Sequence, residues 1–134
     1  MITPSRNRPV PVVVYGTLRK GGALNGHYLR GMDSEPVSIK DHALRVWSDN
    51  AAYPHMIPAS GEDTVGELVW IGDPQVFTRM RIMEEAAGYS TEWVDVESPE
   101  HTIDMKALAF VYHHGDVTQP VPSNDWIQFA NAHV

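Results

Sequence analysis

The chain contains no cysteine. That absence excludes a disulfide scaffold, a thiolate metal site and a cysteine nucleophile together. Basic residues are scarce as well: ten Lys and Arg against seventeen Asp and Glu leave a formal net charge of −7. So acidic a balance lacks the basic face that phosphate-backbone binding needs, and nucleic acid is not an expected partner. No apolar run approaches the roughly 20 residues of a membrane span, so no membrane association is expected. The polar opening Met1–Pro9 has no signal-peptide core. What is present is 134 residues, 43% of them hydrophobic, enough for one compact domain that buries roughly two-thirds of its unfolded surface. The expectation is a cytoplasmic protein acting on a small molecule, with residues 1–9 as a loose arm and 10–134 as a single domain.

Val10-Pro11-Val12-Val13-Val14-Tyr15 is a continuous β-branched run whose proline stands near the start, where a missing donor matters least. Gly16 to Gly22 is a glycine-flanked basic loop, and Ala23 to Arg30 predicts a short helix stopped by Gly31. Val37–Ile39 and His42–Trp47 are strand material. Ser48–Gly61, with Pro54 and Pro58, predicts a long irregular loop of the kind that often binds ligands. After a strand at Thr64–Ile71, Asp73 and Pro74 open a helix as N-cap and first helical residue. It runs to about Ala87, and Gly88 is placed to stop it. Tyr89–Val96 and Ile103–His113 predict a hairpin. Gln119–Pro122 is a stiff connector, and Ser123 caps a last short helix through Asn131.

The helix after Asp73 offers the sharpest chemistry. At about 100° per residue, Val76, Phe77, Met80, Met83 and Ala87 share one face. Glu85 stacks with Arg81 as a solvated pair, whereas Glu84 flanks the apolar stripe. Two readings of Glu84 stand: an edge residue that snorkels to water, or an inward carboxyl. An inward carboxyl in the last turn is raised in pKa by desolvation and by the helix dipole, toward the range a general acid or base uses. Glu67 is the rival acid; alternating with Val65 and Val69, it can face inward with them as a hydrogen-bonded structural carboxylate. The glycine turn after the first strand either simply reverses the chain or forms a backbone concavity for carboxylate or phosphate. It is no P-loop, because Gly22-Ala23 stand where Lys-Ser or Lys-Thr must follow. His113-His114, adjacent on a strand, point to opposite faces, and no helical zinc pattern or Gly-x-Ser-x-Gly elbow occurs. Tyr112 either reaches a site with its hydroxyl or is a half-buried tyrosine, and Trp126 is read as core packing.

Tyr15-Gly16-Thr17-Leu18-Arg19, followed by Gly21 and Asn25, resembles the opening signature of the gamma-glutamylcyclotransferase-like superfamily. The resemblance continues through Gly66-Glu67-Leu68-Val69, Met83-Glu84-Glu85-Ala86-Ala87-Gly88-Tyr89, Ala109-Phe110-Val111-Tyr112 and Asp125-Trp126. These matches run in the family's order across about residues 10–128, and they are closest to its gamma-glutamylamine cyclotransferase type.

The resemblance implies an α+β fold, a small mixed β-barrel-like sheet with flanking helices. It implies cleavage of a small gamma-glutamyl amide by cyclisation, releasing 5-oxoproline and an amine, with no cofactor and no metal. The substrate carboxylate cradle maps to Tyr15, Gly16, Thr17 and Leu18, and the acid/base glutamate to Glu84. Tyr53–Pro58 falls where the family carries a proline-containing loop, which lines the amine pocket or covers a barrel end. The sequence departs from the family pattern at Met80-Arg81, at Glu84-Glu85 with the glycine displaced to Gly88, and at Ser90–Trp93, where no basic residue follows Tyr89. Those departures keep open a non-catalytic binder of a small carboxylate ligand, and a barrel used only for protein contacts.

Overall fold

The computed structural model describes residues 4–22, 24–48, 50–98 and 104–132. Its elements run β1 (Val10–Val14), α1 (Asn25–Tyr28), β2 (Glu35–Trp47), β3 (Asn50–Ile71), α2 (Pro74–Ala86), β4 (Ser90–Glu97), β5 (Asp104–Val111), β6 (Gln119–Pro120) and α3 (Trp126–Ala132). Five strands follow the order β3-β1-β5-β4-β2, and β2 pairs back with β3 to close a barrel, with β6 on the edge of β2. The β1–β5 pairing is parallel and the others are antiparallel. This is the mixed barrel-like sheet with flanking helices that the motifs imply.

The unbroken apolar run of β1 has a simple cause, because both of its faces are covered. Val13, with Tyr15 just beyond the strand, points into the barrel among Leu44, Met56, Leu68, Val96 and Val111. Val10, Val12 and Val14 point outward into a second layer with Val69, Ile71, Phe77 and Met80. That outer layer is where α2 lies. Asp73 caps the helix by accepting from the Gln75 amide at 2.8 Å, with Pro74 at the first helical position, as the sequence predicts.

One expectation fails. The segment 50–61, read as an irregular loop, belongs to the 22-residue strand β3. Its partner is β2, in a register that sets Arg45 opposite His55 and His42 opposite Pro58. Prolines are tolerated here because the other edge of this half of β3 carries no strand, so a missing donor breaks no ladder. β1 joins β3 only from Glu67 onward, so that Glu67 and Leu68 are paired on both sides. Between the halves, Asp41 takes a positive φ of 57° and its side chain accepts from the Gly61 amide at 3.0 Å, Gly61 itself lying at φ 82°. The hairpin is irregular there, and its far half carries residues 53–55 over the end of β1.

Smaller differences concern termini. Residues 4–9, expected as a loose arm, close a turn through paired Ser5 and Arg8 backbone bonds and pack on Gly72. The helix expected over Ala23–Arg30 is four residues long, and its expected start at residue 23 lies outside the described residues, as does Ile103. Strand β5 stops at Val111, so Tyr112, His113 and His114 follow it rather than belong to it. Ser123 does not cap the last helix; it sits at φ 60° in a short 3₁₀ turn. Asp125 is the cap, its carboxylate accepting from the Gln128 amide at 3.2 Å. Trp126 is buried in the barrel interior.

Candidate active site

A cavity of about 340 Å³ opens where β1 ends, between the 15–25 loop, the far half of the β2–β3 hairpin and the end of α2. Its first wall is the glycine loop. Tyr15, Gly16, Thr17 and Leu18 all line it. No acceptor among the described residues takes the Gly16, Thr17 or Leu18 amides, which leaves them available to an anion. Pro54 packs so tightly on Gly16 that a Cβ there would stand 2.5 Å from its Cγ. A Cβ on Gly22 would stand 2.3 Å from the Thr17 carbonyl oxygen, so the loop closes only with glycine at that position.

The loop is bolted in place by charge. Arg19 donates to Glu67 through Nε and to Asp125 through Nη1, each at 2.9 Å, and all three side chains are largely buried. Glu67 also accepts from the Lys20 amide at 2.9 Å, and Asn25 donates to the Leu18 carbonyl at 2.9 Å. Glu67 therefore shares a sheet face with Val69 and Val14 but is fully engaged by the loop, which leaves Glu84 as the acid of the cavity.

Glu84 is half-buried and lines the cavity. Its orientation follows from how α2 ends. Gly88, at φ 99°, allows the Tyr89 amide to reach the Glu84 carbonyl and the Gly88 amide the Glu85 carbonyl, both at 3.1 Å. This Schellman closure places the third residue from the helix end beside the second residue after it, so Glu84 and Tyr89 meet. Burial raises the Glu84 pKa from an ordinary 4.5 to about 7. Glu85 points away and pairs with Arg81 at 3.6 Å, as the helical wheel requires.

The opposite wall is made of rings. Trp47, Tyr53, His55 and Tyr89 line the cavity. His55 is at the centre of the packing, 4.4 Å from Trp47, 5.6 Å from Tyr89 and 4.5 Å from Tyr112, ring centre to ring centre. The Tyr89 hydroxyl donates to the Pro54 carbonyl at 3.0 Å, tying this wall to the hairpin. Sequence reading included Tyr53–Pro58 as one option for a pocket lining; it missed Trp47 and the His55 ring stack, for which only a tryptophan and a histidine on paired strands gave a signal.

Tyr112 stands apart from the other residues named from the sequence. It does not line the cavity: its ring packs behind His55 and Tyr89, and its hydroxyl donates to Asp116 at 2.8 Å. The chain leaves β5 at Val111, which turns the hydroxyl toward the 113–116 segment. Tyr15 is among the lining residues, and its buried hydroxyl donates to the Phe110 carbonyl at 2.6 Å. Among the described residues no cluster of His, Asp and Glu is arranged to hold a metal ion.

A closed mixed barrel with a cavity between backbone donors and one half-buried carboxyl defines the class of protein. The sequence profile of the gamma-glutamyl cyclotransferase, AIG2-like family matches residues 12–128, and the chain belongs to that family. An uncharacterized protein from Pyrococcus horikoshii is 25% identical, with a TM-score of 0.70 over 92% of this chain and 95% of that one. An AIG2-like protein from Mus musculus is 14% identical, with a TM-score of 0.64 over 88% and 94% of the two chains. A gamma-glutamyl cyclotransferase is 12% identical, with a TM-score of 0.63 over 84% and 72%. The last two likenesses are of fold alone. A comparison with curated protein sequences gave no match.

Proposed function

We propose that the chain cleaves a small gamma-glutamyl amide by cyclisation. The substrate's α-carboxylate sits on the Gly16–Leu18 amides, which bends the glutamyl group so that its α-amine lies against its own γ-carbonyl. Holding that conformer replaces a bimolecular encounter and supplies several kcal/mol of the barrier. Ionised Glu84 takes a proton from the α-ammonium, and the freed nitrogen attacks the carbonyl to close a five-membered ring. Backbone donors steady the oxyanion of the tetrahedral intermediate. Protonated Glu84 then gives its proton to the departing nitrogen and the C–N bond breaks; the ring nitrogen's second proton passes by way of the same carboxylate to the freed amine, so that 5-oxoproline and an ammonium leave. No water is consumed, and the carboxyl returns to its starting state.

The observation that carries this reading is the Glu84 carboxyl, held near a pKa of 7 in the same cavity as three amides with no acceptor among the described residues. A group near neutrality can both accept and return a proton at pH 7. Released 5-oxoproline, measured across a panel of gamma-glutamyl amides, tests it. Turnover by the wild type and its collapse in Glu84→Gln support the reading. Tight binding without turnover would make the chain a binder of gamma-glutamyl ligands, and equal turnover by Glu84→Gln would remove the carboxyl from the reaction.

A further inference from the structure

The departing amine must fit what lines the rest of the cavity, and that lining is unusual in its charge. Among the described residues it includes no lysine or arginine, and the carboxyl it includes is Glu84. Two of the cations beside it are committed elsewhere: Arg19 to Glu67 and Asp125, and Arg45 to Glu62 and the Leu44 carbonyl. Resting on the cyclisation reading above, we propose that the leaving-group side of the cavity takes an uncharged arylalkyl amine, recognised by the rings of Trp47, Tyr53, His55 and Tyr89.

Three observations carry this. The wall is preformed, since His55 holds Trp47 and Tyr89 at ordinary aromatic packing distances before any ligand arrives. Tyr53 lines the mouth with 56% of its surface exposed, an aromatic face that a ligand ring would cover. His55, only 3% exposed, keeps Nδ1 buried with no hydrogen-bond partner among the described residues, an arrangement that suits a neutral imidazole better than an imidazolium. Burial likewise lowers its pKa, against the opposing pull of Asp116 and of the Arg45 and Tyr53 backbone. The ring wall is thus neutral among its described residues. A carboxylate on the leaving group would be desolvated there with no cation in the described lining to meet it. An ammonium there would draw the Glu84 pKa back toward its ordinary range and weaken it as a base. At about 340 Å³ the cavity is at the small end for ligand sites, with room for a glutamyl group and little more than one ring.

Matched substrates test this with the full chain. Gamma-glutamylphenethylamide and gamma-glutamylphenylalanine differ by one carboxylate; gamma-glutamylmethylamide lacks the ring, and the mono-gamma-glutamyl amide of 1,4-diaminobutane ends in a cation. The expected kcat/KM for the phenethylamide is at least about tenfold above the methylamide and the diamine derivative, and about a hundredfold above the phenylalanine compound. Tyr53→Arg, at an exposed position that leaves the fold intact, should raise turnover of the phenylalanine compound about tenfold and lower that of the phenethylamide. Methylamide or diamine turnover equal to that of the phenethylamide overturns the aromatic subsite while leaving the cyclisation standing. Release of 5-oxoproline from none of the four overturns the cyclisation, and the subsite with it.

Discussion

The two walls of the cavity are built by different physics. On one side, Arg19 bridges Glu67 and Asp125, drawing the loop after β1, the strand β3 and the start of α3 to a single point. On the other, Trp47, His55, Tyr89 and Tyr112 hold one another by ring packing. The first wall needs particular side chains, because a guanidinium between two carboxylates admits no substitute of equal reach and fork geometry. The second needs rings that pack on one another, held by shape and dispersion rather than by charge. The carboxylate cradle we propose needs fixed backbone positions and belongs on the first kind of wall. The amine-selecting surface we propose belongs on the second.

Glu84 stands between them, and its replacement is expected to have the largest effect. Glu84→Gln should lower kcat/KM by about a thousandfold, the scale of a lost general acid/base, and in the wild type kcat/KM should rise with pH through about 7 as the carboxyl ionises. Stability moves the opposite way. With a folded pKa near 7 against an unfolded value near 4.5, the native state holds the proton more tightly. Stability is therefore lost as pH rises from 4.5 to 7 and stays lost above it, by about 3 kcal/mol. Denaturation at pH 8 should find Glu84→Gln more stable than wild type, with the gap closing by pH 4.5.

Next in size is the ionic wall. Arg19→Met leaves Glu67 and Asp125 largely buried and facing each other without a cation, at a cost of about 3 kcal/mol in chemical denaturation. A cost under 1 kcal/mol at pH 7 would erase the contrast between the walls. Gly16→Ala probes where they touch. The added methyl meets Pro54 at 2.5 Å, so overpacking should cost about 1–3 kcal/mol and displace the cradle. Pairing it with Pro54→Ala should recover much of both stability and KM, through a coupling that separate walls would not show.

How legible these parts are follows the same division. Arg19, Glu67, Asp125 and Asn25 stand out in the sequence because charge pairs demand specific residue types, although nothing in their spacing says that they meet one another. The inward turn of Glu84 is half legible: the wheel puts it on the flank of the stripe, and Gly88, placed to end the helix, settles its direction through the closure with Tyr89. The hairpin is where reading stops. Pro54 and Pro58 look like strand breakers, and no local pattern reveals that their strand has an open edge. His55 is equally opaque, because a buried histidine among rings differs from an exposed one only in what other strands bring to it.

The smallest effect expected is at Tyr112, and it separates ring from hydroxyl on the aromatic wall. Tyr112→Phe keeps the contacts to His55 and Tyr89 and removes the bond to Asp116. The Asp116 carboxyl, held below its ordinary pKa chiefly by that hydroxyl, should then titrate higher. Because the hydroxyl points away from the cavity, kcat/KM should change by no more than about twofold, and thermal stability no more than a surface substitution changes it. A tenfold fall in kcat/KM would mean that the hydroxyl reaches the substrate, and the wall would then be a polar participant rather than a packed surface. Tyr112→Leu completes the test from the other side: losing the ring loosens His55, so discrimination between gamma-glutamylphenethylamide and gamma-glutamylmethylamide should narrow even where stability is restored by lower temperature.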